Sequence, residues 1–159
     1  MRERFTHNGK DFYLVLIEPD DVPEVWPYVK DGIEKAMVHS DSVMDGSDFL
    51  PDLERGVCRL WVFMSEAKIV GHLITQVIRY PRKSFMRLLT VECTGGEKGM
   101  VGMELWHKFI PALEEYASRE GCGHLEGYAR KGMARSLGNH GWAHQYSIIT
   151  KQLEDRRLH

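Results

Sequence analysis

The chain has 159 residues, enough for one domain around a shared core and too few for two ordinary ones, so residues 1–159 are expected to fold as a single domain. Hydrophobic residues at 43% and charged residues at 28% are ordinary globular usage, which excludes a disordered tail, a collagen-like rod or a disulfide scaffold. With 21 Lys+Arg against 23 Asp+Glu the net charge is -2, so no global field draws the protein onto nucleic acid, and apolar runs such as Phe12 to Ile17 fall far short of the roughly 20 residues that span a bilayer.

The first expected strand is Asp11 to Ile17, an aromatic and branched run that stops at Glu18-Pro19. Asp20 or Asp21 is placed to cap a helix with Pro23 in its first turn. Val22, Val25, Trp26, Val29, Ile33, Ala36 and Met37 then recur at three- and four-residue steps, the pattern of an amphipathic helix. After a polar stretch from His39 to Gly46, Ser47 is read as the cap of a short helix that turns Phe49, Leu50 and Leu53 inward and ends at Gly56. Three extended segments follow, Val57 to Met64, Ile69 to Tyr80 and Phe85 to Cys93, with connectors of hairpin length, so an antiparallel meander is expected.

Beyond Cys93 the chain becomes Thr94-Gly95-Gly96-Glu97-Lys98-Gly99 and then enters the longest helix, from about Met100 to Arg119. Trp106, Phe109, Ile110, Leu113, Tyr116 and Ala117 share one face, and Gly121 lies past its end. A helix of that length acts as a crossover, delivering His124 to Ala129 as a strand parallel to the Phe85 segment. A short helix is expected over Arg130 to Asn139, a break at Gly141-Trp142, and a last strand over Gln145 to Leu153.

Other residues carry weaker signals. The N-terminus lacks the apolar stretch of a signal peptide. Cys58, Cys93 and Cys122 are an odd count without metal-ligand spacing, which fits free thiols in the cytoplasm. His140 and His144 are four apart, but Gly141 stands between them and no third ligand is evident, so no metal site is expected. Arg79, Arg82, Lys83 and Arg87 around one connector, and Arg130, Lys131 and Arg135 further on, are phosphate-gripping types that more often make solvated turns; nucleic acid is not the expected partner.

The order of strand, two helices, three-strand meander, long helix, strand, short helix and strand resembles the GNAT (GCN5-related N-acetyltransferase) superfamily over nearly the whole chain. Within that group it looks most like small phage- and prophage-encoded GNAT-like proteins, on the segments EPDDVPEVWPYVKDGI, LWVFMSEAKIVGHLITQVIRYPRKSFMRLL and ARKGMARSLGNHGWAHQYSIITKQL. The resemblance implies a mixed, mostly antiparallel twisted α/β sheet with flanking helices. It also implies an acyl-CoA, such as acetyl-CoA, with its pyrophosphate at the start of the long helix and its pantetheine arm between two splayed parallel strands. A glycine turn opening a helix favours a phosphate on its own account, because it exposes unpaired N–H groups at the positive end of the helix dipole.

On that basis Val91, Cys93, Gly96, Lys98, Gly99, Met100, Val101 and Gly102 are the candidate acyl-CoA contacts. The superfamily loop is an Arg or Gln, two variable residues, Gly, one more, then Gly or Ala. Here Gly96 replaces the first residue and Val101 the last, and Glu97 would repel a pyrophosphate, so a turn that merely connects strand to helix is the competing reading. Glu92, late on the strand that enters the loop, is the candidate base for an ammonium substrate; His72 on the neighbouring strand is read as structural. The tyrosine acid of many GNAT enzymes falls at Leu137, with Tyr128 and Tyr146 nearby in sequence. The expected function is therefore an acyl-CoA-dependent N-acyltransferase for a small amine or a protein amino group. The alternative is a catalytically silent GNAT-like module contacting phage virion or host proteins, located in the host cytoplasm or the virion.

Overall fold

The computed structural model describes residues 1–38, 45–93, 100–129 and 131–154. Two compact units divide the chain, Met1–Tyr128 and Ala129–His159. The first holds a six-stranded sheet whose spatial order follows the chain: β1 (Arg2–His7), β2 (Lys10–Ile17), β3 (Arg59–Ser65), β4 (Lys68–Arg79), β5 (Ser84–Cys93) and β6 (Leu125–Gly127). Every neighbouring pair is antiparallel except β5 and β6, as the meander and crossover readings require. Helices α1 (Val22–Val38) and α2 (Phe49–Glu54) separate β2 from β3, and α3 (Met100–Arg119) separates β5 from β6.

The expectation that Asp11 to Ile17 is the first strand is corrected, because Arg2–His7 precedes it as an edge strand. Its residues, RERFTH, include a single apolar side chain, yet Asn8-Gly9 carries the signal: both residues have positive φ (51° and 75°), which a two-residue hairpin turn demands and which Asn and Gly adopt at least cost. The cap expected at Ser47 is also corrected: α2 follows Asp48, whose side chain makes no cap bond to it, and the capping box lies on the 3-10 turn Gly46–Asp48 that leads into α2. Asp45, not Ser47, receives the backbone N–H of Ser47 at 3.4 Å, and Asp48 closes the reciprocal bond by accepting from Asp45 N at 2.8 Å. Gly56 ends that helix at a φ of 76°, as read from the sequence.

Two apolar layers flank the sheet. On one face Val22, Val29, Ile33 and Met37 of α1 and Phe49 and Leu53 of α2 pack on Leu60, Val62 and Ile74. On the other, α3 sets Phe109 against Phe63 with ring centres 4.6 Å apart and Tyr116 edge-on to Trp61 at 4.9 Å. Trp61 satisfies its indole N–H inside that layer by donating to Thr75 Oγ1 at 3.0 Å.

In the second unit α4 (Lys131–Gly138) is the short helix expected there, and Gly141 has a φ of 85° at the expected break. Gln145 to Leu153 does not form the expected last strand: it takes no regular structure, and Tyr146, Ile148, Ile149 and Leu153 are exposed. Branched and aromatic residues favour a strand only where a neighbour supplies ladder bonds and half-burial, and this segment pairs with no described strand.

Candidate active site

The site begins with two irregularities in β5. Thr90 lies opposite Ile74 but Leu88 opposite Thr75, so Leu89 is one residue too many and the strand bulges there. The parallel pairing with β6 covers only Met86, Arg87 and Leu88. From Leu89 to Cys93, β5 therefore continues with β4 on one side and, among the described residues, no strand on the other. The resemblance implies an opening between the parallel strands, and this is the stretch of β5 where their described pairing has stopped.

Past the bulge, His72 and Glu92 stand directly opposite each other across β4 and β5, as do Ile74 and Thr90. All four face α1, since Ile74 belongs to the layer beneath that helix and side chains two residues apart share a face. Val91, across from Leu73, therefore lies on the opposite face from Glu92. A cleft of about 260 Å³ opens above this part of the sheet, with Tyr28, Asp31, Gly32 and Lys35 of α1 along one side and Gly71, His72 and Glu92 among its other walls.

Glu92 is half-buried, and its Oε2 is sealed from solvent with no hydrogen-bond partner among the described residues. Burial pushes its pKa up, against the opposing pull of the Lys35 ammonium. An unpartnered buried acceptor costs about 1–3 kcal/mol, which marks Glu92 as a group to account for at the wall of the cleft. His72 differs. It is 1% exposed, shares a 3.2 Å hydrogen bond between its Nε2 and Thr90 Oγ1, and burial lowers its pKa to about 4. The imidazole is neutral at physiological pH and anchored to the strand, as the structural reading had it.

Of the sequence candidates, Glu92 lines the cleft and Val91 and Cys93 are its neighbours on β5. Met100, Val101 and Gly102 form the first turn of α3, while Gly96, Lys98 and Gly99 lie outside the described residues. Arg79 and Arg87 are engaged by acids: Arg79 meets Glu120 at 3.1 Å and Arg87 meets Glu126 at 2.8 Å. Tyr128 and Tyr146 are 65% and 85% exposed, so neither packs its ring in a core. The sequence reading missed the α1 wall. Gly32 was the available signal, a glycine in the middle of an amphipathic helix where propensity disfavours it.

No family model matches the chain, and no curated protein matches it in sequence. Solved structures do match in shape. An aminoglycoside acetyltransferase from an uncultured soil metagenomic sample, in complex with trehalose, superposes with a TM-score of 0.63 at 17% identity, over 90% of this chain and 97% of that one. A GNAT family acetyltransferase from Staphylococcus aureus gives 0.56 at 18% identity, over 89% and 98%. The fold is that of the GNAT acetyltransferases. A third neighbour, a predicted acetyltransferase from Clostridium acetobutylicum with acetyl-CoA, gives 0.63 at 10% identity, over 89% and 96%. At these identities the likeness carries the GNAT architecture alone.

Proposed function

We propose that the protein is an acyl-CoA-dependent N-acyltransferase in which Glu92 removes a proton from the amine acceptor. One observation carries the reading: a carboxyl with a buried, unpartnered oxygen stands at the wall of a cleft, on the strand that outruns its parallel neighbour in a GNAT fold. An acyl-CoA supplies an activated acyl group as a thioester. The edge of β5 from Leu89 to Cys93 suits its amide-bearing arm, because that edge offers backbone groups that no strand among the described residues takes. The start of α3 at Met100 to Gly102, with Gly96, Lys98 and Gly99 before it, is the proposed seat of the pyrophosphate.

The acceptor class follows from charge. A primary amine is an ammonium in water and cannot attack until it loses a proton, and Glu92 and Asp31 offer it negative partners at the cleft. Desolvation raises the basicity of the Glu92 carboxylate, which makes it a better proton acceptor so long as the pH stays above its raised pKa. His72 stays neutral and adds no competing positive charge. A small amine and a protein amino group share this chemistry.

The test is release of free coenzyme A from acetyl-CoA with primary amines and amino-terminal peptides as acceptors. Glu92→Gln is expected to lower kcat by about 100-fold or more, the usual worth of a positioned base, with the KM for acetyl-CoA nearly unchanged. An unchanged kcat removes Glu92 from the reaction. Failure of every acceptor to release coenzyme A favours the silent protein-contact module.

A further inference from the structure

Gly32 lies midway along α1, and the space its missing side chain leaves is occupied by the site itself. A methyl group at position 32 would stand 2.8 Å from Glu92 Oε2, far inside contact distance, and 3.5 Å from His72 Nδ1. The backbone of α1 at this point is thus the wall against which the inner oxygen of Glu92 rests, and the same oxygen is the one sealed from solvent without a partner. His72, tied through its Nε2 to Thr90, sits at ordinary contact distance from such a methyl, so the clash falls on the Glu92 carboxyl. A side chain at position 32 would therefore drive the carboxyl of Glu92 outward.

We propose that Gly32 is a positioning residue: its bare backbone is the seat that holds the Glu92 carboxyl inward, half withdrawn from water, at the cleft. The use of the seat rests on the transferase reading, but the seat does not. Gly32→Ala should push the carboxyl into the cleft, where water replaces the helix wall. The other ionisable groups facing it are Tyr28, Asp31 and Lys35 from α1 and His72 from β4. The substitution changes none of these groups chemically, but a carboxyl that moves outward changes both its desolvation and its distance to the Lys35 ammonium, so the Glu92 titration reports the position of the carboxyl through the two together.

The experiment is a carboxyl-carbon NMR titration of the glutamate-labelled protein without substrate, with the Glu92 signal assigned by its loss in Glu92→Gln. In Gly32→Ala the Glu92 carboxyl is expected to titrate at least about half a unit lower than in the parent. The acid limb of the coenzyme A release profile should move the same way, with kcat reduced about tenfold or more. Shortening the acid makes room for the methyl, so Gly32→Ala with Glu92→Asp should recover part of the lost kcat relative to Gly32→Ala alone.

An unchanged Glu92 titration in Gly32→Ala overturns the proposal whatever the activity. A shifted titration in a protein that releases no coenzyme A upholds the seat and defeats the transferase reading instead. Should Gly32→Ala fail to fold, the paired variant decides: recovery of folding by Glu92→Asp upholds the contact, and failure to recover overturns it.

Discussion

Position 32 shows two residue-level effects in opposition. A glycine inside a helix costs about 1 kcal/mol relative to alanine, so local propensity alone would favour Ala, yet a methyl there meets Glu92 at 2.8 Å. The atom that a methyl meets is the end of a flexible side chain, so what the methyl changes is the place of the Glu92 carboxyl. His72 carries the clearest pH consequence at this scale. Its folded pKa of about 4 lies below the ordinary 6.5, so the unfolded chain binds a proton that the native imidazole refuses. Its contribution to stability is intact above about pH 6.5 and is lost as the pH falls from there toward 4, on the order of 3 kcal/mol at the bottom of the window. The raised pKa of Glu92 acts in the opposite sense, favouring the native state as the carboxyl becomes neutral. The comparison of urea midpoints between the parent and His72→Gln isolates the histidine: the difference between them should change steeply from pH 6.5 to 4, and parallel curves would show that His72 is not held neutral.

Two of the sheet's hairpins make the same tight turn with unequal chemistry. Asn8-Gly9 between β1 and β2 is suited to positive φ, whereas Glu66 and Ala67 between β3 and β4 adopt 52° and 62° with a Cβ in the way. The register of β3 and β4 forces this, since Ser65 pairs with Lys68 and leaves only two residues to reverse the chain. Ala67→Gly is therefore expected to stabilise the fold by about 1 kcal/mol, raising the melting temperature by about 3 °C. No change in melting temperature would mean that the turn relaxes elsewhere. Element packing on the other face is supplied by α3, whose Phe109 and Tyr116 rings meet Phe63 and Trp61 and hold the crossover helix to the sheet.

For the whole molecule, the bulge at Leu89 and the short pairing of β6 together leave one edge of β5 without a strand partner among the described residues, in a fold shared with GNAT acetyltransferases. If that edge takes an acyl-CoA, the ligand binds the native state and not the unfolded chain, and mass action must raise the melting temperature. Acetyl-CoA at about a hundred times its Kd is expected to add about 2.7 kcal/mol, several degrees in a thermal melt. Absence of any shift at millimolar acetyl-CoA would sink acyl-CoA binding, and with it the transferase, while leaving the architecture as described.

The sequence by itself determined most of this architecture, because apolar spacing is a local property: α1, α3 and the strands from β2 to β5 each announce a buried face through their own residues, and β6 follows from the crossover that α3 makes. It also pointed to Glu92, since a carboxylate near the end of the strand that enters the glycine turn is visible in one dimension. It misplaced the C-terminal strand, because a strand exists only with a partner and the partner is not encoded in Gln145 to Leu153. It passed over β1, whose Asn8-Gly9 turn was the stronger evidence than its weak hydrophobicity. Only the tertiary structure decided what surrounds Glu92. Gly32, Lys35 and His72 reach it from a helix and a neighbouring strand far away along the chain, and the register of β4 on β5 and the packing of α1 bring them within reach of one carboxyl. Burial, and hence the basicity of that carboxyl, is a property of the assembled neighbourhood that no residue carries alone.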